Sequence, residues 1–191
     1  MDRGTRSFWV LVVALLAASV GFGFGAEGRR RQVQTSESSL ATGDVVGLAE
    51  VVDGDSLVVE KGGQLVAVRL IGIKAFDPNS DPGEASRFGR QAVSELTRLL
   101  QDKPIRVLLH DPPTDSHGRT LAELFVDDQD VALDMVKRGL VLVYTVYPFG
   151  SMSMYLQEQA KAKADRIGLW SEPSMAKRAE LLSREWSRQS E

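Results

Sequence analysis

Two arginines and three aspartates stand at turns or strand ends within this chain. Asp53 and Asp55 flank a glycine in VVDGDSL, Arg69 lies in VRLIG, Asp77 in AFDP and Arg119 in DSHGRTLAELF. Paired arginines suit bidentate binding of a phosphate and oppose the charge that builds on a phosphorane-like transition state. One carboxylate could take a proton from water, and a second could hold a hard divalent cation. Singly, each feature is ordinary. Asp-Gly is a common hairpin turn, a strand arginine is usually a snorkelling surface residue, and SHGR reads as a loop. A rival group, His110, Asp111, Asp115 and His117, could be taken for a metal cluster. Its histidines stand apart across a Pro-Pro loop with no helix or strand to aim them, so it reads as a solvated loop.

The elements that must position these residues begin at Asp44. The stretch DVVGLAEVVDGDSLVVEKGGQLVAVRLIGI gives three β-rich runs separated by turns at Asp53-Gly54 and Gly62-Gly63, a three-stranded antiparallel meander. GEASRFGRQAVSELTRLLQ then shifts to helical period, with Ala85, Phe88, Ala92, Leu96, Leu99 and Leu100 on one stripe. Two further strands, KPIRVLLH and TLAELFVD, flank the DPPTDSHGR loop. A short helix follows, with Asp130 as N-cap and Gly139 as its stop, and a third helix is expected from about Met154 to Arg166. In the tail, Met175, Ala179, Leu182 and Trp186 fall at helical spacing, which predicts an amphipathic helix packed on its own domain. Three strands, a helix, two strands and then helices is the order of an OB barrel. The predicted class is α+β, mainly β: a five-stranded OB-fold barrel with three packed helices, plus an N-terminal apolar helix.

Composition sets the limits. The chain has 191 residues, 43% of them hydrophobic, enough for a real core. It has no cysteine, which removes disulfides, thiolate nucleophiles and cysteine metal sites. The net charge is -3, and beyond Ala41 acidic side chains outnumber basic ones more strongly. That balance argues against tight non-specific nucleic-acid binding, though not against a basic cleft on an acidic body. Ser7 to Ala26 is uncharged, and twenty helical residues span about 30 Å, the thickness of a bilayer core. Arg3 and Arg6 precede it and Arg29 to Arg31 follow. Residues 1–26 therefore read as a signal peptide or retained signal anchor, with the domain outside the cytoplasm. Residues 27–42 read as a polar tether, 43–171 as the barrel domain and 172–191 as the helical tail; a monomer is expected.

From about residue 44 to 170 the chain resembles the staphylococcal nuclease (thermonuclease) family. The motifs VVDGDSL, VRLIGI, GEASRFGRQA, DSHGRTLAELFV, DMVKRGLVLVY and AKADRIGLW occur in the family's order and spacing. The resemblance implies an OB barrel that cleaves DNA or RNA phosphodiesters using calcium. It implies Asp55 as a calcium ligand with Asp53 beside it, and Arg69 and Arg119 on the phosphate. It places Asp77 where the family has its glutamate, a proposed general base. Tyr144 and Tyr147 fall where family tyrosines line the nucleotide pocket, although strand and turn packing explains them equally well.

Lys74 departs from the family pattern. It stands where the family has its second calcium carboxylate, just before Ala75, whose counterpart supplies a backbone carbonyl ligand; Phe76 then replaces a proline. A protonated lysine cannot ligate calcium, and at 4 Å the two repel by roughly 8 kcal/mol at an effective dielectric of 20. Asp77 is also one methylene shorter than glutamate, and a misplacement of about 1 Å can cost a base roughly 100-fold in rate. Three arrangements are open. The site is degenerate and the domain only binds; or the loop is rebuilt, with Asp77 joining Asp55 on the metal and Glu84 or Asp81 as base; or the Lys74 ammonium replaces part of the metal's charge. Calcium or another divalent cation is the expected cofactor, and DNA or RNA the expected substrate.

Overall fold

The computed structural model of the protein describes residues 40–189. The apolar segment 7–26 and most of the tether lie outside the described residues. Among the described residues no helix is long and apolar enough to cross a membrane.

The predicted meander is present as β1 (Val45–Asp53), β2 (Ser56–Lys61) and β3 (Gln64–Leu70). It is antiparallel throughout, in the order β3-β2-β1, and continues through β5 (Ile105–Thr114) to β6 (Thr120–Val126). A parallel pairing of Val68–Leu70 with Thr120–Ala122 joins β3 to β6 and closes the five strands into a barrel. Alternation along the strands puts Leu57, Val59, Val66, Val68, Ala122 and Leu124 inside, all buried. Two-residue strands decorate this frame: β4 (Ile73–Lys74) pairs with β8 (Leu142–Val143), and β7 (Gln129–Asp130) extends β6.

Helix α1 (Glu84–Leu100) lies across the barrel with the expected stripe inward. Ala92, Leu96 and Leu100 enter the barrel core, while Ala85 and Phe88 join a second cluster with Phe76, Leu142, Leu169 and Trp170. Its outer face carries the Arg87–Glu84 and Arg98–Glu95 pairs.

Helix α2 (Val131–Lys137) starts as predicted: the Asp130 carboxylate accepts the Leu133 amide at 3.1 Å. Gly139, at φ 61°, ends it. There a Cβ would meet the Ile167 carbonyl oxygen at 2.3 Å, so only glycine fits. Asp130 also accepts the Tyr155 hydroxyl at 2.8 Å, tying the cap of α2 to helix α3 (Met152–Ala164). Tyr155 is fully buried. Burial, then the Asp130 charge, raises its hydroxyl far above the ordinary tyrosine value, so it stays a donor.

A 3-10 turn (Gly168–Ser171) leads into a fourth helix, α4 (Pro173–Gln189), formed by the tail. Its predicted stripe packs on the second cluster: Met175 and Ala179 are buried, Leu182 and Trp186 partly so. The barrel therefore carries four described helices.

Two other details differ from the sequence reading. The last tether residues belong to the barrel: Leu40 is buried in its core, and the Thr42 hydroxyl accepts the Leu109 amide at 3.1 Å. Strand β5 also runs on through Pro112 and Pro113 to Thr114, with an irregular register against β6 between Leu109 and Thr114. Proline cannot donate to a ladder, which is why this stretch reads as loop and why its pairing is interrupted.

Candidate active site: a cationic cleft over a buried carboxylate

The turn between β1 and β2 brings Asp55 inward. Asp53 stabilises the turn by accepting the Asp55 amide at 2.8 Å. Gly54 is needed for a close approach: a Cβ there would lie 2.5 Å from the Ala92 Cβ and 2.7 Å from the Ala75 Cβ. Hence the Asp-Gly-Asp turn presses against α1 and the segment after β4, and Asp55 is only 1% exposed.

Both oxygens of the Asp55 carboxylate are engaged. Oδ1 pairs with the Arg69 guanidinium and accepts the Ser56 hydroxyl at 3.1 Å. Oδ2 accepts the Ala75 amide at 2.7 Å and lies 3.6 Å from the Lys74 ammonium. A buried carboxylate requires such company, because desolvating an unpaired charge costs several kcal/mol.

Sheet register explains how the two arginines converge. Ser56 on β2 stands opposite Arg69 on β3, and Arg69 stands opposite Leu121 on β6. Arg119 is two residues before that pairing, and its Nη1 donates to the Ser56 hydroxyl at 3.1 Å. Arg69 also donates to the Ile73 carbonyl at 2.9 Å and is 11% exposed, whereas Arg119 is 33% exposed. Burial first, and then the neighbouring Arg119 charge, brings Arg69 down to about 10, which leaves it charged at neutral pH.

Asp115 orients Arg119. Its Oδ2 accepts from Nε at 2.8 Å and Nη2 at 2.7 Å, while its Oδ1 accepts the His117 and Arg119 amides at 2.9 and 3.0 Å. Burial works to raise the Asp115 pKa, but these bonds and the Arg119 charge outweigh it and hold the carboxylate below its ordinary value. Sequence reasoning placed Asp115 in a solvated loop. The available signal was local: an aspartate opening a turn, glycine three residues on, and a cation at the turn's exit.

A cleft of ≈ 630 Å³ opens beside this group. Of the predicted site residues, Arg69, Lys74, Arg119, Tyr144 and Tyr147 line it. Asp55 lies beneath, engaged with the first two. Trp186 of α4 also lines the cleft, as do His110 and His117. The rival group does not gather: among the described residues no set of three or more His, Asp or Glu side chains is placed to hold a metal ion.

Lys74, half-exposed at 49%, ends β4. Burial, then Arg69, lowers its pKa. Asp77 is exposed and does not line the cleft. Its Oδ1 accepts the Asn79 and Ser80 amides at 2.7 and 2.8 Å, and those bonds lower its pKa. It is held as the cap of its own turn and is a weakened base there. Asp81 accepts the Asp77 amide and pairs with Arg178 at 2.5 Å, and Glu84 pairs with Arg87.

A divalent cation does not fit this donor set as it stands. One buried carboxylate has both oxygens occupied, and an ammonium stands within ion-pair distance of one of them. Hard cations such as calcium take six to eight oxygen ligands.

A closed barrel of OB type with two convergent arginines over a buried aspartate defines the class of protein. Residues 67–172 match the family described as "Staphylococcal nuclease homologue", and the chain belongs to that family. It is 33% identical to an uncharacterized endonuclease of Haemophilus influenzae over 142 residues, which are 71% of this chain and 74% of the relative. To a thermonuclease of Staphylococcus intermedius it is 29% identical over 122 residues, 63% of this chain and 72% of the relative. To a thermonuclease of Staphylococcus hyicus it is 23% identical over 172 residues, 90% and 99% of the two chains.

Proposed function

We propose that the domain is an endonuclease that hydrolyses phosphodiester bonds of DNA or RNA, with a cation site altered at Lys74. The observation that carries this reading is the convergence of Arg69 and Arg119 on one cleft through Ser56, with Lys74 beside them. A phosphodiester seated there meets two guanidinium groups held in place before it arrives. Asp55 and Asp115 fix their orientation, so no reorganisation is needed as negative charge builds on the non-bridging oxygens. Tyr144 and Tyr147 border the same space and suit the nucleotide next to the scissile phosphate. Asp77 remains the proposed general base. In that role it must leave its turn cap and swing towards the cleft.

The family relation implies a calcium-dependent nuclease in general, and the two thermonucleases support the nuclease part by name. In this chain the Lys74 ammonium stands beside Asp55 where a cation would need to sit, and the positive charge facing the phosphate comes from Arg69, Arg119 and Lys74. The full occupancy of Asp55 also favours a second reading, a barrel that binds nucleic acid or protein without cutting. The apolar run from Ser7 to Ala26 supports an exported or membrane-anchored protein with the domain outside the cytoplasm.

The deciding experiment incubates the protein with labelled single-stranded DNA and RNA in calcium, magnesium, manganese or EDTA, beside Arg119→Ala. Cleavage that Arg119→Ala abolishes supports the enzyme. If it also survives EDTA, the ammonium replaces the metal; if it needs a cation, the loop rebuilds a shell. A folded protein that cleaves nothing is the binding module.

A further inference from the structure

The cleft has an aromatic side as well as a cationic one. The Tyr144 ring lies 6.0 Å from Tyr147 and 5.0 Å from Trp186, the latter edge-on at 80°. Tyr147 is 69% exposed, far more than a packing role requires, and Trp186 is half-buried. Trp186 comes from α4, beyond residue 172 where the family match ends. Its position is not incidental. Met175 and Ala179 bury the start of the helix. Arg178 pairs with Asp81 at 2.5 Å and covers the Phe76 ring at 4.9 Å, and Glu180 pairs with Lys163 at 2.7 Å. Helical spacing from Met175 and Ala179 then delivers the indole to the cleft two turns further on.

Resting on the nucleic-acid reading above, we infer that Trp186 completes a base-stacking subsite with Tyr144 and Tyr147, taking one unpaired base of a single-stranded nucleic acid while the cations hold its phosphates. Aromatic rings beside a row of cations are what a single strand requires, because every base has a stacking face and every linkage a charge. A duplex keeps its bases stacked on one another and offers this wall nothing. The subsite therefore selects strands with accessible bases, and the tail helix supplies a specificity-determining residue.

The test is equilibrium binding of the full chain to two cleavage-resistant phosphorothioate oligomers of equal length and charge, one an oligothymidylate and one abasic. The wild type is expected to bind the oligothymidylate about tenfold more tightly. Trp186→Ala should remove most of that preference and leave abasic binding unchanged, whereas Trp186→Phe should keep most of it at an unaltered melting temperature. An alanine variant with full preference overturns the inference, as does one that weakens both oligomers equally, since displacement of α4 alone would do that. If the wild type binds neither oligomer, the nucleic-acid reading itself falls, and this subsite with it.

Discussion

The Asp55 carboxylate is shared between two cations of different burial: Arg69 pairs with Oδ1, and the Lys74 ammonium lies 3.6 Å from Oδ2. The two pairs should differ in weight. Arg69→Ala leaves a buried carboxylate without its closest cation, at an expected cost of about 3–5 kcal/mol. Lys74→Ala removes a half-exposed partner and should cost about 1 kcal/mol or less. Urea denaturation of both variants checks this, and equal losses would contradict the assignment.

Residue 74 should also control cation affinity. Millimolar calcium is expected to leave the wild-type melting temperature unchanged. Lys74→Glu restores a carboxylate beside Asp55 and should gain several degrees on adding calcium, since a ligand at 100 times its Kd stabilises by about 2.7 kcal/mol. An equal rise in both proteins would mean that the cation site does not depend on residue 74.

Arg119 is the more exposed of the two arginines proposed to hold the phosphate, so its removal should affect turnover more than folding. Arg119→Ala is expected to lower kcat/KM by about 10²–10³, with the melting temperature changed by only a few degrees. Kinetics on an oligonucleotide substrate beside a thermal melt separate the two effects. A collapsed fold would instead make Arg119 a structural residue.

Asp115 gives a pH signature. Its folded-state pKa lies below the ordinary 3.8. The stabilisation it contributes is therefore complete above pH 3.8 and is lost as pH falls through the lower folded value. The stability gap between wild type and Asp115→Asn should be constant from pH 5 to 8 and close below pH 4. A gap that already narrows near pH 6 would point to a different group.

Tyr155 and Asp130 give a test remote from the cleft. Tyr155→Phe removes a buried donor to a carboxylate and should cost about 1.5–3 kcal/mol. Asp130→Ala should cost more, because it also removes the α2 cap, which alone contributes about 1 kcal/mol. Chemical denaturation of the two variants gives the order, and its reversal would mean that the cap does not depend on this carboxylate.

The features legible in the sequence are those with a local period or a local cap. Alternation located the barrel strands, the stripe from Ala85 to Leu100 located α1, and Asp130 with Gly139 bracketed α2. The resemblance to the nuclease family implied that Arg69 and Arg119 share a site, and the cleft contains both. What could not be read depends on partners distant in the chain. Asp115 looks solvated until Arg119 folds back over it. Pro112 and Pro113 hide a strand that β6 nevertheless pairs at either end. Asp55 looks like a vacant ligand until Arg69, Ala75 and Lys74 occupy its oxygens. Trp186 announces only an amphipathic face, and which wall that face meets is a tertiary fact.

The parallel seam between β3 and β6 has a consequence for how the protein comes into being. Arg69 sits in that seam, and Arg119 immediately precedes it. The join links segments far apart in sequence, and such contacts form late because chain closure must be met before they return any stabilisation. A nascent chain that has emerged only through α1 holds Asp55, and Arg69 paired with β2, but has no β6 to close the seam and no Arg119. The Arg69–Arg119 pair is therefore brought together by barrel closure itself. The growing polypeptide lacks the paired arginines of the cleft until β6 has left the ribosome and docked.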